Sequence, residues 1–249
     1  MLTRAPASVE SNIRRYDTSY LAYFAAIIAI TFLLRIWYAG NLYQDDGLWF
    51  TAAEEILRGK ALYGEVFFDK PPVLPFVYAA LFKLFGAHIL TIRLFTICYS
   101  ILISSLLSLF GSRLYDRRTG HVAGLMFAVF STTYISGDMQ SLNTEFLMAP
   151  FYIAGAFLLI RSCAQHQRPG LLAFAGGVLA GIAFQINPKG ASDLIFFAVL
   201  LIFGRSWHHA PLLNYVRRAM RLFALAVAGL VAASLPFVVW LFATDSMSR

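Results

Sequence analysis

Apolar residues fall in long blocks along this chain, separated by short polar stretches. A window of about 19 residues marks eight segments, at 20–38, 73–86, 89–112, 120–137, 146–160, 171–187, 191–207 and 222–243. Several have the length a helix needs to cross a hydrocarbon core about 30 Å thick. The pattern therefore predicts an all-α, polytopic integral membrane protein, with residues 1–249 forming one membrane domain.

Arginine placement orients these segments. Arg113, Arg117 and Arg118 follow the segment at 89–112, Arg161 and Arg168 follow 146–160, and Arg205, Arg217, Arg218 and Arg221 lie around the connection before the last. The positive-inside rule places these loops in the cytoplasm, together with the amino terminus carrying Arg4, Arg14 and Arg15. The segment at 73–86 does not fit that alternation as a span. It is short, opens with Pro71, Pro72 and Pro75, and contains Lys83, as suits an interfacial or re-entrant helix. About seven transmembrane helices remain, with 191–207 the shortest in apolar length because Asp193 and Arg205 bound it. The first apolar run, Tyr20 to Tyr38, is too long for a signal-peptide core and is expected to stay as the first span.

This topology leaves a long external loop, 39–89, carrying short interfacial helices and holding Asp45, Asp46, Glu54, Glu55, Glu65 and Asp69. Thr51 to Arg58, closed by Gly59, reads as one such helix. The composition agrees with a membrane solvent: 59% of the residues are hydrophobic and 13% charged, where soluble domains carry roughly a quarter charged. The net charge of +7 comes from arginines grouped between apolar runs, a topology signal that argues against a nucleic-acid partner. Cys98 and Cys163 have neither disulfide nor metal-ligand spacing.

Four clusters could carry chemistry. Asp45 and Asp46 stand just beyond the outer end of the first span, where a carboxylate could take a proton or simply face water. Asp69-Lys70-Pro71-Pro72 fixes a lysine at the mouth of the short helix. That lysine could snorkel as an anchor or neutralise a lipid phosphate, and spacing alone does not separate the two. Asp138 and Glu145 return acids to the external side, with Asn143 placed to cap the following helix. Asn187-Pro188-Lys189-Gly190 is a tight external turn with one cation. Snorkelling accounts for Arg35 and Arg93 near span ends, and His208 and His209 fall in a cytoplasmic loop away from the acids.

The order of these pieces resembles the amino-terminal module of C-type membrane glycosyltransferases, in particular the bacterial branch of protein O-mannosyltransferases and aminoarabinose transferases. The resemblance runs from Arg35 through Asp45-Asp46, Ala53-Glu-Glu-Ile-Leu-Arg-Gly59, Leu62-Tyr63, Asp69-Lys-Pro-Pro72, Leu84-Phe-Gly86 and Arg93 to Asn143-Thr-Glu145 and Ala175-Gly-Gly177, covering roughly residues 20–245. It implies a transferase that moves a sugar from a polyprenyl-phosphate donor to a lipid, glycan or protein acceptor at the extracytoplasmic face of the cell's inner membrane. It further implies Asp45 as catalytic base, with Asp46 in the catalytic set where a glutamate is more usual, and Glu145, ahead of Asp138, as a further catalytic carboxylate. Lys70, Arg93 and Lys189 become the expected ligands of the donor phosphate, and Asp69 a possible ligand of a divalent metal. Family members are generally longer, so the chain reads as their amino-terminal catalytic module. A transporter or lipid flippase is the alternative, although such proteins usually place ionisable groups near the bilayer midplane.

Overall fold

A computed structural model describes residues 7–41, 44–133, 140–164, 167–203 and 211–243. Among them the chain is helical, in the order α1 (Ala7–Ile36), α2 (Gln44–Leu57), α3 (Val73–Phe85), α4 (Ile89–Leu114), α5 (Arg117–Thr133), α6 (Thr144–Ala164), α7 (Pro169–Ile186), α8 (Ser192–Phe203) and α9 (Leu212–Ala243), with a 3-10 turn at Pro188–Ala191. This is the all-α, polytopic membrane architecture expected. Among the described residues, Ile89–Leu114, Thr144–Ala164, Pro169–Ile186 and Leu212–Trp240 are long and apolar enough to cross a membrane, while Leu21–Ile36 and Val73–Phe85 are shorter apolar helices. Many large apolar side chains point outward, Leu171, Ile195, Phe203 and Val239 among them. That outward face is tolerable because a helix satisfies its own backbone and can offer lipid a purely apolar surface.

Glycine sets the closest helix contacts. A methyl group added at Gly177 of α7 would lie 1.9 Å from the Ala226 carbonyl oxygen of α9, and one at Gly229 would lie 2.2 Å from the Phe174 carbonyl oxygen. The two backbones therefore approach through the missing side chains, a packing mode that suits helices in lipid, where burying apolar surface brings little gain. Gly120 of α5 is pressed against α4 in the same way, near Ser108 and Ser112.

The two ends of the bundle differ in chemistry. At one end, Arg35 of α1 donates to Ser131 Oγ of α5 at 3.1 Å, Asn187 reaches Thr144 of α6 at 2.9 Å, and Trp240 of α9 packs on Tyr63 and Phe76. At the other, Asp116 caps the start of α5 by accepting from the Thr119 amide at 2.9 Å, and Arg218 donates to the Cys163 carbonyl. The Thr119 amide and hydroxyl also hold the exposed Asp116 carboxyl below its usual range. The acids of 39–89 and Glu145 gather at the first end, and the arginine-rich connections at the second.

Candidate active site

The site end begins with α2. The acid pair does not sit in an open loop ahead of a helix at 51–58, as the sequence suggested. Helix α2 starts one to two turns earlier, so that Asp45 and Asp46 occupy its first turn, where carboxylates favour the positive end of the helix. Thr51 is then inside the helix, its hydroxyl donating to the Gly47 carbonyl at 2.8 Å. The helix stops at Leu57, and Gly59 takes a φ of +90°, which a side chain would strain.

The helix turns its two acids to different places. Asp45 is exposed, whereas Asp46 is buried and ion-paired with Arg93 of α4. Arg93 is buried as well, so it does not snorkel. Its Nη1 donates to the Gln140 carbonyl at 2.9 Å, and its Nη2 donates to the Asn41 carbonyl at 2.7 Å as well as to Asp46. The Tyr78 hydroxyl of α3 donates to the Leu142 carbonyl at 3.3 Å and lies 3.5 Å from Asp46 Oδ1. One charged pair thus fastens α2, α3, α4 and the segment leading to α6. Removing either partner would strand a buried charge, which typically costs about 3–5 kcal/mol. Arg35 likewise turns inward, with its guanidinium 5.1 Å from the centre of the Phe146 ring.

The same end has an aromatic floor. Trp49, Tyr78 and Phe82 are buried, and Phe50 packs on Phe82 with ring centres 4.4 Å apart. Trp49 follows Asp45 by four residues, one helical turn or roughly 6 Å along the axis. Lys70 Nζ lies 5.9 Å from the centre of the Trp49 ring, near enough for a cation–π attraction. The Lys70 carbonyl is held by the Tyr63 hydroxyl at 2.7 Å, and burial pushes that phenol up to about 12, so it stays a donor. Lys70 is thereby placed beside the turn of α2 that exposes Asp45. Asp69 is exposed, and no group of three His, Cys, Asp or Glu side chains able to hold a metal converges among the described residues.

A second cluster forms where α6, α7 and the 3-10 turn meet. Asn143 caps α6 as expected, its Oδ1 accepting from the Phe146 amide at 2.7 Å. Lys189 Nζ donates to Glu145 Oε1 at 2.7 Å, and this contact raises the proton affinity of the Lys189 ammonium. Glu145 Oε2 accepts from the Thr144 hydroxyl at 2.8 Å, Thr144 Oγ1 accepts from Asn187 Nδ2 at 2.9 Å, and Asn187 Oδ1 accepts from the Lys189 amide at 3.0 Å. Gly190 is needed here, because an added methyl would meet the Ala183 carbonyl carbon at 2.4 Å. In the first turn of α8, Asp193 is fully buried against Gly155, and neither of its carboxylate oxygens has a partner among the described residues. A groove of about 800 Å³ between α3 and α4, lined mainly by apolar side chains such as Leu81, Phe85 and Leu94, holds none of these acids.

Asp138, His208 and His209 lie outside the described residues. Trp49, Tyr78 and Thr144 belong to the site and were not singled out from the sequence. Trp49 could have been found one helical turn after Asp45, and Tyr78 as the lone hydroxyl on the apolar face of Leu74, Leu81 and Phe82.

Residues 69–240 match the model of the family described as dolichyl-phosphate-mannose-protein mannosyltransferase. No curated protein and no solved structure matches the chain.

Proposed function

The chain belongs to the dolichyl-phosphate-mannose-protein mannosyltransferase family, and from that premise we propose that this membrane glycosyltransferase takes its sugar from a polyprenyl-phosphate donor and transfers it to an acceptor hydroxyl at the extracytoplasmic surface. The observation that carries the reading is the division of labour on α2. Asp46 is locked under Arg93, while Asp45 is left exposed one turn from the Trp49 ring beside which Lys70 lies.

In this reading Asp45 accepts the proton of the acceptor hydroxyl as its oxygen bonds to the anomeric carbon. The bond from that carbon to the phosphate oxygen breaks, and polyprenyl phosphate leaves with the bonding electrons. A phosphate is already a good leaving group, so no strong general acid of the glycosidase kind is required. What the departing group needs is a fixed positive charge, which Lys70 supplies in a place set by Trp49 and Tyr63. Arg93 is assigned a positioning role through Asp46 rather than a phosphate contact, because its guanidinium is buried on Asp46 and two carbonyls. The arginine-rich connections at the opposite end of the bundle favour an extracytoplasmic site.

Purified protein in nanodiscs, given a polyprenyl-phosphate-linked sugar and an acceptor, tests the reading by release of polyprenyl phosphate together with glycosylated acceptor. Absence of transfer across a panel of sugars, with flux of the intact lipid in sealed vesicles, would replace it with transport.

A further inference from the structure

Two ion pairs of this end, Arg93–Asp46 and Lys189–Glu145, differ in exposure. Side-chain exposure is 4% for Arg93 and 2% for Asp46, but 68% for Lys189 and 35% for Glu145. A buried pair cannot open without leaving a charge stranded. A solvent-facing lysine–carboxylate pair is worth only about 0–1 kcal/mol, so a stronger anion can take the ammonium.

The surroundings of Lys189 are held by contacts other than that one. Thr144 keeps its hydrogen bond to the other oxygen of Glu145, Asn187 bonds Thr144, and Asn187 also holds the Lys189 amide. Thr144 and Asn187 are buried, and Gly190 seats the turn on the end of α7. The backbone of the cation and one oxygen of the carboxylate are thus held by hydrogen bonds to uncharged side chains. Only the outermost contact, 2.7 Å between Lys189 Nζ and Glu145 Oε1, is free to exchange.

We infer that Glu145 is an internal stand-in anion, occupying at Lys189 the place of a phosphate group that displaces it. A phosphate brings more negative charge and more acceptor oxygens than one carboxylate, so it competes well for an exposed ammonium. Resting on the donor reading above, the incoming phosphate is that of the lipid-linked sugar. Lys189 passes from Glu145 to the phosphate, and Glu145 remains on Thr144. The exchange makes and breaks no covalent bond. Its sign is distinctive: removing the negative charge of Glu145 strengthens phosphate binding, whereas a carboxylate that helped hold the donor would weaken it when removed.

The test is direct binding to the full chain by calorimetry, with a short-chain polyprenyl phosphate, inorganic phosphate and phosphatidylglycerol as separate probes. Glu145→Gln is expected to bind polyprenyl phosphate about three- to tenfold tighter than the parent, a change that corresponds to about 0.7–1.4 kcal/mol. Adding Lys189→Ala should abolish the gain, and Glu145→Ala serves as a second variant should the glutamine form fail to fold. An equal gain with inorganic phosphate supports a site that reads phosphate alone, and a gain confined to the polyprenyl compound supports one that also reads the lipid. Unchanged or weaker binding in both Glu145 variants would overturn the inference, as would a gain that survives Lys189→Ala or one equally large for phosphatidylglycerol. Because no turnover is measured, the result is separable from the transfer assay: tighter binding without any sugar transfer keeps the exchange and removes the transferase reading, and transfer without tighter binding does the reverse.

Discussion

Asp45 and Asp46 are covalent neighbours in opposite environments, the first exposed at the start of α2 and the second 1% exposed beneath Arg93. Conservative substitutions should therefore separate them. Asp45→Asn keeps shape and fold but removes the proton acceptor, and turnover should fall by about 10²-fold or more with donor binding little changed. Asp46→Asn leaves Arg93 uncompensated and should destabilise the protein by about 3 kcal/mol or more. Thermal melting in detergent beside transfer kinetics checks both. Near-normal turnover in Asp45→Asn would remove it as the base, and an unchanged melting temperature in Asp46→Asn would remove the lock.

The Lys70 ammonium should act in both the ground state and the transition state. Lys70→Ala is expected to weaken donor binding and also to slow transfer, since the same charge meets the leaving phosphate. Tyr63→Phe, which loses only the hydroxyl on the Lys70 carbonyl, should show a smaller change in the same direction. Varying donor and acceptor separately distinguishes these effects, and an unaltered donor response in Lys70→Ala would exclude the phosphate contact.

Sidedness follows from the grouping of acids at one end of the bundle and arginines at the other. Tags at Arg118 and Arg168 should report the cytoplasm, and tags at Gly64 and Ser141 the external side. A cytoplasmic signal at Gly64 would move the whole site to the other face.

Close packing of α7 on α9 and of the Lys189 turn on α7 predicts two different failures. Gly177→Leu must push α9 away along its backbone contact and should lower stability sharply. Gly190→Ala should disturb chiefly the turn, weakening phosphate binding more than it lowers the melting temperature. Limited proteolysis together with melting curves would tell the two apart. Equal behaviour of the variants would mean that the turn is no more local than the helix pair.

Much of this architecture is legible in the sequence. The apolar blocks predicted an all-α membrane protein and the short helix at 73–86, because burial in lipid is written in local composition. The cap at Asn143 was legible for the same reason, its partner being three residues away. The partners of Arg93 were not, since Asp46 and Gln140 each lie 47 residues from it and nothing local distinguishes a buried guanidinium from one that snorkels. Glu145 and Lys189, 44 residues apart, met the same limit. The start of α2 is not legible in the same way, because Gly47 interrupts the helical pattern while the tertiary contacts of Trp49 and Phe50 accompany a helix that runs through it.

Trp240 stands near the end of α9, about 170 residues from Lys70, yet only one side chain separates them in space: Tyr63 touches the indole with its ring and holds the lysine carbonyl with its hydroxyl. A tilt of α9 would therefore bear on the backbone of Lys70 through Tyr63. The indole also makes this linkage observable, since a donor that shifts Lys70 would alter the emission of Trp240. Trp49, beneath the same lysine, and the remaining indoles at Trp37 and Trp207 would have to be replaced by phenylalanine for that signal to be read alone.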